Sequence, residues 1–423
     1  MKKELLIILA FLVVIFFFTN FPIMWDELIY NLNARYFLGR IDFFDNFRPP
    51  VYSIILSVFY LLNIESLNTV LPKIFLILLL LATYFFAKSF TKKPVNSLIV
   101  LLSFPVITQW ANSFMTEIPS AFFAICSLIF LKKCAEKYEL KNLLLTFFFA
   151  TLATLTRYPM GLIYPVVVAL YLIYVKKKNW LHFIIGNLIY LAPIILWVNF
   201  ISLEIFISAF KAAASDASSP AFFLANFFII FGLSGLFLIK LFRYKFKKED
   251  YWLIVPILSF LIFFQSFSHK EARFLISILP FIAILIAKLN IKQGFLLAFS
   301  IITFAISAYF IIYLSSAYSN IFNNAFSQVA GFFKDKSDEV ILTNMVPYCF
   351  YFTKNPCFMV AWEPEWFVSR INELNASYLL ISDNKISHPY YSNNQSFYGN
   401  YSLEKKINIG FENIFIYKAK EVI

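Results

Sequence analysis

The chain has 423 residues, is 61% hydrophobic and only 14% charged, and has a mean hydropathy of +0.74. Soluble domains are about 45–50% apolar, so this composition, with 55 Phe and 9 Gly, excludes them and points to an all-α polytopic membrane protein. The net charge of +12 does not mark a nucleic-acid partner, because the lysines lie between apolar runs, where they set topology.

The first run, MKKELLIILAFLVVIFFF, lacks a small-residue cleavage site before Trp25 and reads as a retained helix rather than a leader. Spans are expected near 5–23, 70–90, 95–111, 119–131, 142–156, 159–175, 181–200, 222–240, 251–267, 274–288 and 294–313, about eleven in all. The stretch PPVYSIILSVFYLLN, residues 49–63, is short for a span and opens on two prolines. It is read as an interfacial helix on the outer side. That choice gathers Lys2, Lys3, Lys88, Lys92, Lys93, Lys132, Lys133, Lys137, Lys141, Lys176, Lys177, Lys178, Arg243, Lys245, Lys247, Lys248, Lys288 and Lys292 on one side, as the positive-inside rule requires. Counting the stretch as a span would put most of them outside. The N-terminus is therefore expected in the cytoplasm. The region from 314 onward is expected outside the cell membrane, in an extracellular, periplasmic or luminal space.

Two domains follow: a membrane module over 1–313, with an outer loop over 24–69, and a small outer α/β domain over 314–423. In the tail, EVILTN (339–344), YLLIS (378–382) and IFIYKA (414–419) read as strands, and EPEWFVSRINEL (363–374) as an amphipathic helix. Three sequons, at Asn375, Asn394 and Asn400, fall in it. Of the four cysteines, Cys126 and Cys134 have no metal-ligand spacing. Cys349 and Cys357 can pair if the tail is outside.

Once topology has claimed its lysines, the remaining ionisable groups carry the information, since charges near the membrane core are costly and mark function. They are Asp26, Glu27, Arg35, Arg40, Asp42, Asp45, Arg48, Glu117, Arg157, Lys211, Asp216, His269, Lys270, Glu271 and Arg273. In WDELIYNLNARYFL, Asp26 either caps a helix or serves as a general base that takes a proton from an attacking hydroxyl. In FMTEIPSAFF, Glu117 and Pro119 suit a helix start, or Glu117 belongs to the same site. Arg157, in LATLTRYPMGLIYP, runs against the inside bias and either pairs with a carboxylate or binds phosphate. SFSHKEARFLISILP packs His269, Lys270, Glu271 and Arg273 between two apolar spans. It is either a plain polar loop or a cationic cradle for an anionic leaving group.

WDELIYNLNARYFL followed by FRPPVYSIILSVFYLL resembles the first outer loop of membrane glycosyltransferases of the GT-C fold, in particular the protein O-mannosyltransferases and the aminoarabinose transferases of lipid A. Those enzymes carry an Asp-Glu pair after the first span and then a Pro-rich start to an interfacial helix. TEIP is similar to their second acidic position, where Asp is commoner than the Glu117 found here; the departure leaves a metal role there in doubt. HKEARF resembles a loop of the dolichyl-phosphate-mannose-dependent mannosyltransferases, and LTRYPMG the family's paired short spans. The resemblance covers about residues 5–313. It implies inverting transfer of a sugar from a polyprenyl-phosphate donor to a protein, lipid or glycan acceptor on the outer face. It implies Asp26 as base with Glu27 beside it. Arg48, Arg157, Lys270 and Arg273 are the candidates for the donor phosphate; Glu117, His269 and Trp25 complete the candidate site.

The chemistry fits the residues independently of the resemblance: a lipid-linked sugar needs apolar walls, a cationic clamp and a carboxylate base. No Gly-rich phosphate loop is present, so no nucleotide site is expected. No cofactor is required, and metal dependence stays open. A transporter or flippase for a lipid-linked anion is the rival reading; it would place charges deep in several spans and show internal repeats, neither of which is evident. A non-catalytic subunit of an envelope complex is the third.

Overall fold

The computed structural model describes residues 2–19, 24–64, 69–176, 179–212, 218–267, 269–289, 291–336, 338–359, 371, 373–383, 401–408 and 413–420. The chain packs as two units. The first joins the N-terminal residues through Asn20 with Asn33–Tyr313; the second joins Phe21–Leu32 with Leu314–Ile423. The acidic pair was expected in the loop of the membrane module. Residues 21–32, which carry it, instead pack with the C-terminal unit, because Trp25 lies against the apolar cluster of that unit.

The helices, in order, are α1 (Lys2–Phe18), α2 (Trp25–Tyr36), α3 (Val51–Leu61), α4 (Leu71–Ala87), α5 (Pro94–Ser103), α6 (Pro105–Trp110), α7 (Glu117–Glu136), α8 (Leu140–Thr156), α9 (Ile163–Tyr174), α10 (Trp180–Ile201), α11 (Leu203–Ala212), α12 (Phe222–Ala225), α13 (Phe227–Phe231), α14 (Tyr251–Ser266), α15 (Leu279–Lys288), α16 (Gln293–Phe333) and α17 (Val346–Thr353). Among the described residues four segments, Glu117–Glu136, Trp180–Ile201, Lys248–Ser266 and Gln293–Phe333, are long and apolar enough to cross a membrane. This is a helical membrane protein with a small C-terminal sheet.

The expected spans 95–111 and 222–240 are not single helices. Phe104 takes an extended conformation, φ −68° and ψ 122°, because the residue before a proline is steered away from the α region. Pro105 then restarts the helix as α6. Over 222–243 the chain forms α12, α13 and a 3-10 stretch, Gly232–Arg243. Gly232 sits at φ +57°, where a Cβ would come within 2.1 Å of Thr303 Cγ2.

The helix α3 has 11 residues, which cover about 16 Å, well short of the ~30 Å hydrocarbon core. Tyr52, Leu56 and Tyr60 are buried on one face, while Ile54 and Val58 on the other are about half exposed. The preceding loop is tied down. Asn33 Nδ2 donates to Asp45 O at 2.8 Å, and its Oδ1 accepts from Asp45 N at 2.9 Å. Arg40 donates to Tyr60 O at 2.7 Å, and Arg35 lies over the Tyr60 ring at 5.1 Å. At the far end of α1, Asn112 donates to Ile15 O and Thr19 O, and Lys73 to Phe16 O. These bonds satisfy carbonyls that a helix end leaves open.

The second unit holds a five-stranded sheet made of β1 (Ile341–Thr343), β2 (Cys357–Met359), β3 (Tyr378–Ser382), β4 (Tyr401–Asn408) and β5 (Asn413–Ala419), in the order β2-β1-β3-β5-β4. β1 runs parallel to β2 and β3, and β5 antiparallel to β3 and β4. Every residue of β3 is buried. Tyr378 and Leu380 face one apolar cluster, Leu379 and Ile381 the other. On β4, Tyr401 joins the second cluster and Ile407 the first. Six positions apart, they would share a face; the register shift between Leu403 and Lys405 inserts one residue and turns the strand over. Cys349 and Cys357 form a disulfide. The expected helix over 363–374 lies mostly outside the described residues, as do Asp216, Asn394 and Asn400.

Candidate active site

In the first unit, Glu117 is the first residue of α7, with Thr116 as its N-cap. An acid in the first turn is favoured by the partial positive charge there. It is 1% exposed. Arg157, which ends α8 in an extended conformation, places Nη1 2.7 Å from Glu117 Oε1. Arg273 comes from the 3-10 stretch Ala272–Ser277, and its Nε lies 3.4 Å from the same oxygen. Glu271 pairs with Arg273 as well: Nη2 donates to Oε1 at 2.8 Å, and Nε lies 2.5 Å from Oε2. His269 Nε2 is 2.8 Å from Glu271 Oε1. Two arginines thus converge on one carboxylate oxygen, and one of them carries a second carboxylate on to a histidine.

Aromatic and sulfur groups finish the shell. The Arg157 guanidinium lies 4.9 Å from the Phe274 ring centre, and that of Arg273 5.2 Å from Trp110. Arg273 Nη1 also contacts Met115 Sδ at 3.0 Å. Guanidinium groups over aromatic faces keep their charge while losing water. Among the described residues, Glu117 Oε2 and Arg157 Nε in this buried cluster have no hydrogen-bond partner. Lys270 is 7% exposed, its amide donates to Ser218 Oγ at 3.1 Å, and among the described residues no carboxylate pairs with its ammonium. Burial raises the Glu271 carboxyl pKa, but the charge and hydrogen bonds of Arg273, with His269, outweigh burial and hold it below the ordinary carboxylate value.

The sequence-derived candidates fall into two groups. Glu117, Arg157, His269 and Arg273 come together, with Lys270 in the same loop. Trp25, Asp26 and Glu27 belong to the second unit. There Glu27 is 4% exposed and accepts from the amide of Met24 at 2.5 Å, closing the start of α2. Asp26, half-buried, is the second residue of the helix rather than its cap. Trp25 packs edge-on to Tyr348, with ring centres 5.9 Å apart. Arg48 is half-buried in the turn before α3. Arg35 and Arg40 hold the loop to α3. Trp110, Met115 and Phe274 were not singled out by the sequence; being apolar in an apolar chain, they carry no compositional signal. Among the described residues no group of three His, Cys, Asp or Glu is placed to hold a metal.

Residues 47–199 match the family model of the dolichyl-phosphate-mannose-protein mannosyltransferases, and residues 219–344 that of the Alg9-like mannosyltransferase family. By fold and by both matches, the chain is a membrane glycosyltransferase. Glu117 and Arg157 lie in the first matched stretch and His269 to Arg273 in the second, whereas Asp26 and Glu27 precede both. The transferase superposes on ArnT from Cupriavidus metallidurans bound to undecaprenyl phosphate with a TM-score of 0.71 at 13% identity, covering 98% of both chains. The oligosaccharyltransferase of Archaeoglobus fulgidus, in complex with Zn and sulfate, gives a TM-score of 0.58 at 12% identity, over 91% of this chain and 69% of that one. The mycobacterial arabinofuranosyltransferase AftD gives 0.57 at 12% identity, over 99% and 40%. These likenesses establish the GT-C fold. In sequence, the transferase matches no curated protein.

Proposed function

We propose that the transferase moves a sugar from a polyprenyl-phosphate donor to an acceptor hydroxyl on the outer face of the membrane, with inversion at the anomeric carbon. The acceptor oxygen forms a bond to that carbon as the bond from carbon to phosphate oxygen breaks. Asp26 takes the hydroxyl proton, and the phosphate departs on its lipid with the bonding pair. Glu27 fixes the start of α2 beside Asp26, and Trp25 offers a ring for the sugar. Arg48, Arg157, Lys270 and Arg273 supply positive charge for the leaving phosphate, with Glu117 and His269 orienting the arginines directly and through Glu271. The scheme draws on no resident cofactor.

The supporting observation is the charge balance of the buried cluster. Among the described residues, Arg157 and Arg273 pair with Glu117 and Glu271, while the buried Lys270 of the same loop pairs with no carboxylate. A surplus cation in a desolvated site is costly unless a ligand neutralises it. Preorganised donors aimed at a departing anion lower the barrier of such chemistry more than any other single effect. The bound undecaprenyl phosphate of ArnT is a lipid phosphate of the kind proposed.

The test uses membranes holding wild type or Asp26→Asn at equal expression, supplied with a panel of radiolabelled polyprenyl-phosphate sugars. Loss of label from one donor in wild type alone is the expected result. Equal loss in both would remove Asp26 as the base, and no loss from any donor would count against the polyprenyl-phosphate assignment.

A further inference from the structure

The far end of α7 carries a second feature. Glu117 begins the helix and Lys133 lies sixteen positions on, about 24 Å along the axis at 1.5 Å per residue. There α4 and α7 line a half-open groove of about 540 Å³, within the usual ~300–1,000 Å³ of ligand sites. Its walls are apolar, with Leu81, Phe85, Phe122 and Phe130 among them. Its lining also includes Lys88, Lys132 and Lys133 against a single acid, Glu136. Lys132 already pairs with Glu136 at 3.0 Å. Lys88 and Lys133 are exposed, and among the described residues they meet only the rings of Tyr84 and Phe130. Topology accounts for lysines near this end of the helices; it does not account for two helices that bring three of them to one apolar groove.

We propose that this groove is a site for an anionic glycerophospholipid, distinct from the catalytic site and occupied from the opposite leaflet. One acyl chain lies between α4 and α7, and the phosphate sits on Lys88 and Lys133. An apolar groove lined by two lysines that pair with no carboxylate among the described residues matches an acyl chain that ends in a negative headgroup, and basic pockets between spans favour such lipids. A zwitterionic lipid fills the groove equally well but gains less from the lysines.

Native mass spectrometry of the purified full-length transferase tests this by a readout independent of catalysis. The probes are phosphatidylglycerol and phosphatidylcholine with identical chains, offered to wild type and to the Lys88→Gln/Lys133→Gln variant. Wild type is expected to retain one phosphatidylglycerol and to prefer it by roughly tenfold or more. The variant, whose changes lie on exposed side chains, is expected to lose the preference while keeping its phosphatidylcholine background and its melting temperature. Equal binding of the two lipids by wild type would overturn the proposal, as would an unchanged preference in the variant. Displacement of the bound lipid by an equimolar polyprenyl phosphate would assign the groove to the carrier lipid and overturn it too.

Discussion

Glu117 Oε1 is shared by two guanidinium groups, so the residue holds the cluster together whatever else it does. Glu117→Ala takes the carboxylate from the buried Arg157 and leaves Arg273 with Glu271, and removing one partner from a buried pair costs about 3–5 kcal/mol. Thermal unfolding of the purified protein should show a large fall in Tm. Among the described residues Lys270→Gln strands no carboxylate, and its Tm should not fall below that of wild type. Glu271 gives a pH prediction. Its folded pKa is depressed, so its stabilisation is complete above the ordinary carboxylate pKa of about 4.3 and fades as pH falls through the lower folded value. Tm of wild type should therefore drop over that acid window, and Glu271→Gln should start lower and show a shallower drop. The charged residues of this cluster are legible in the sequence because ionisable groups between apolar runs are conspicuous. Their pairing is not, since Glu117 and Arg157 are 40 positions apart and Arg273 is farther still. Arg35 and Arg40 look equally suggestive in sequence, yet the structure employs them in fastening a loop.

Among the elements, the broken span at Pro105 and the irregular stretch after Gly232 meet in one place, where a Cβ on Gly232 would lie 2.1 Å from Thr303 Cγ2 and 3.3 Å from Pro105 Cδ. Gly232→Ala forces a positive φ on a residue with a side chain and also pushes α16 away. A loss of about 1–3 kcal/mol follows for the strain alone, measurable as a lower Tm. The prolines and glycines that cause these breaks are visible in the sequence, but hydropathy averages over them, which is why each stretch reads as one span. The strand YLLIS is recognisable because a central strand covered on both faces is a continuous apolar run. YSLEKKIN is not, because the register shift in β4 interrupts its alternation and its outer residues are charged.

At the scale of the whole molecule, the second unit joins residues 21–32 to the C-terminal sheet, and Cys349–Cys357 braces it. Closing a loop with a sequence separation of 8 is worth about 2–3 kcal/mol. Cys349→Ser/Cys357→Ser should lower the unfolding temperature of this unit, and a reductant should do the same to wild type and nothing further to the variant. The sequence marks a change from apolar runs to a mixed, more polar tail near residue 314. It does not show that the segment with Trp25 and Asp26 packs with the tail, a contact that spans some three hundred residues and rests on ordinary aromatic packing against Tyr348.

The central claim is that Lys270, buried and paired with no carboxylate among the described residues, serves a lipid-linked phosphate. Its most direct test is the initial rate of polyprenyl phosphate release from a radiolabelled donor by purified wild type and Lys270→Gln, matched for folded protein. The account predicts a rate at least about a hundredfold lower in the variant, with no fall in Tm. Release at the wild-type rate would contradict it.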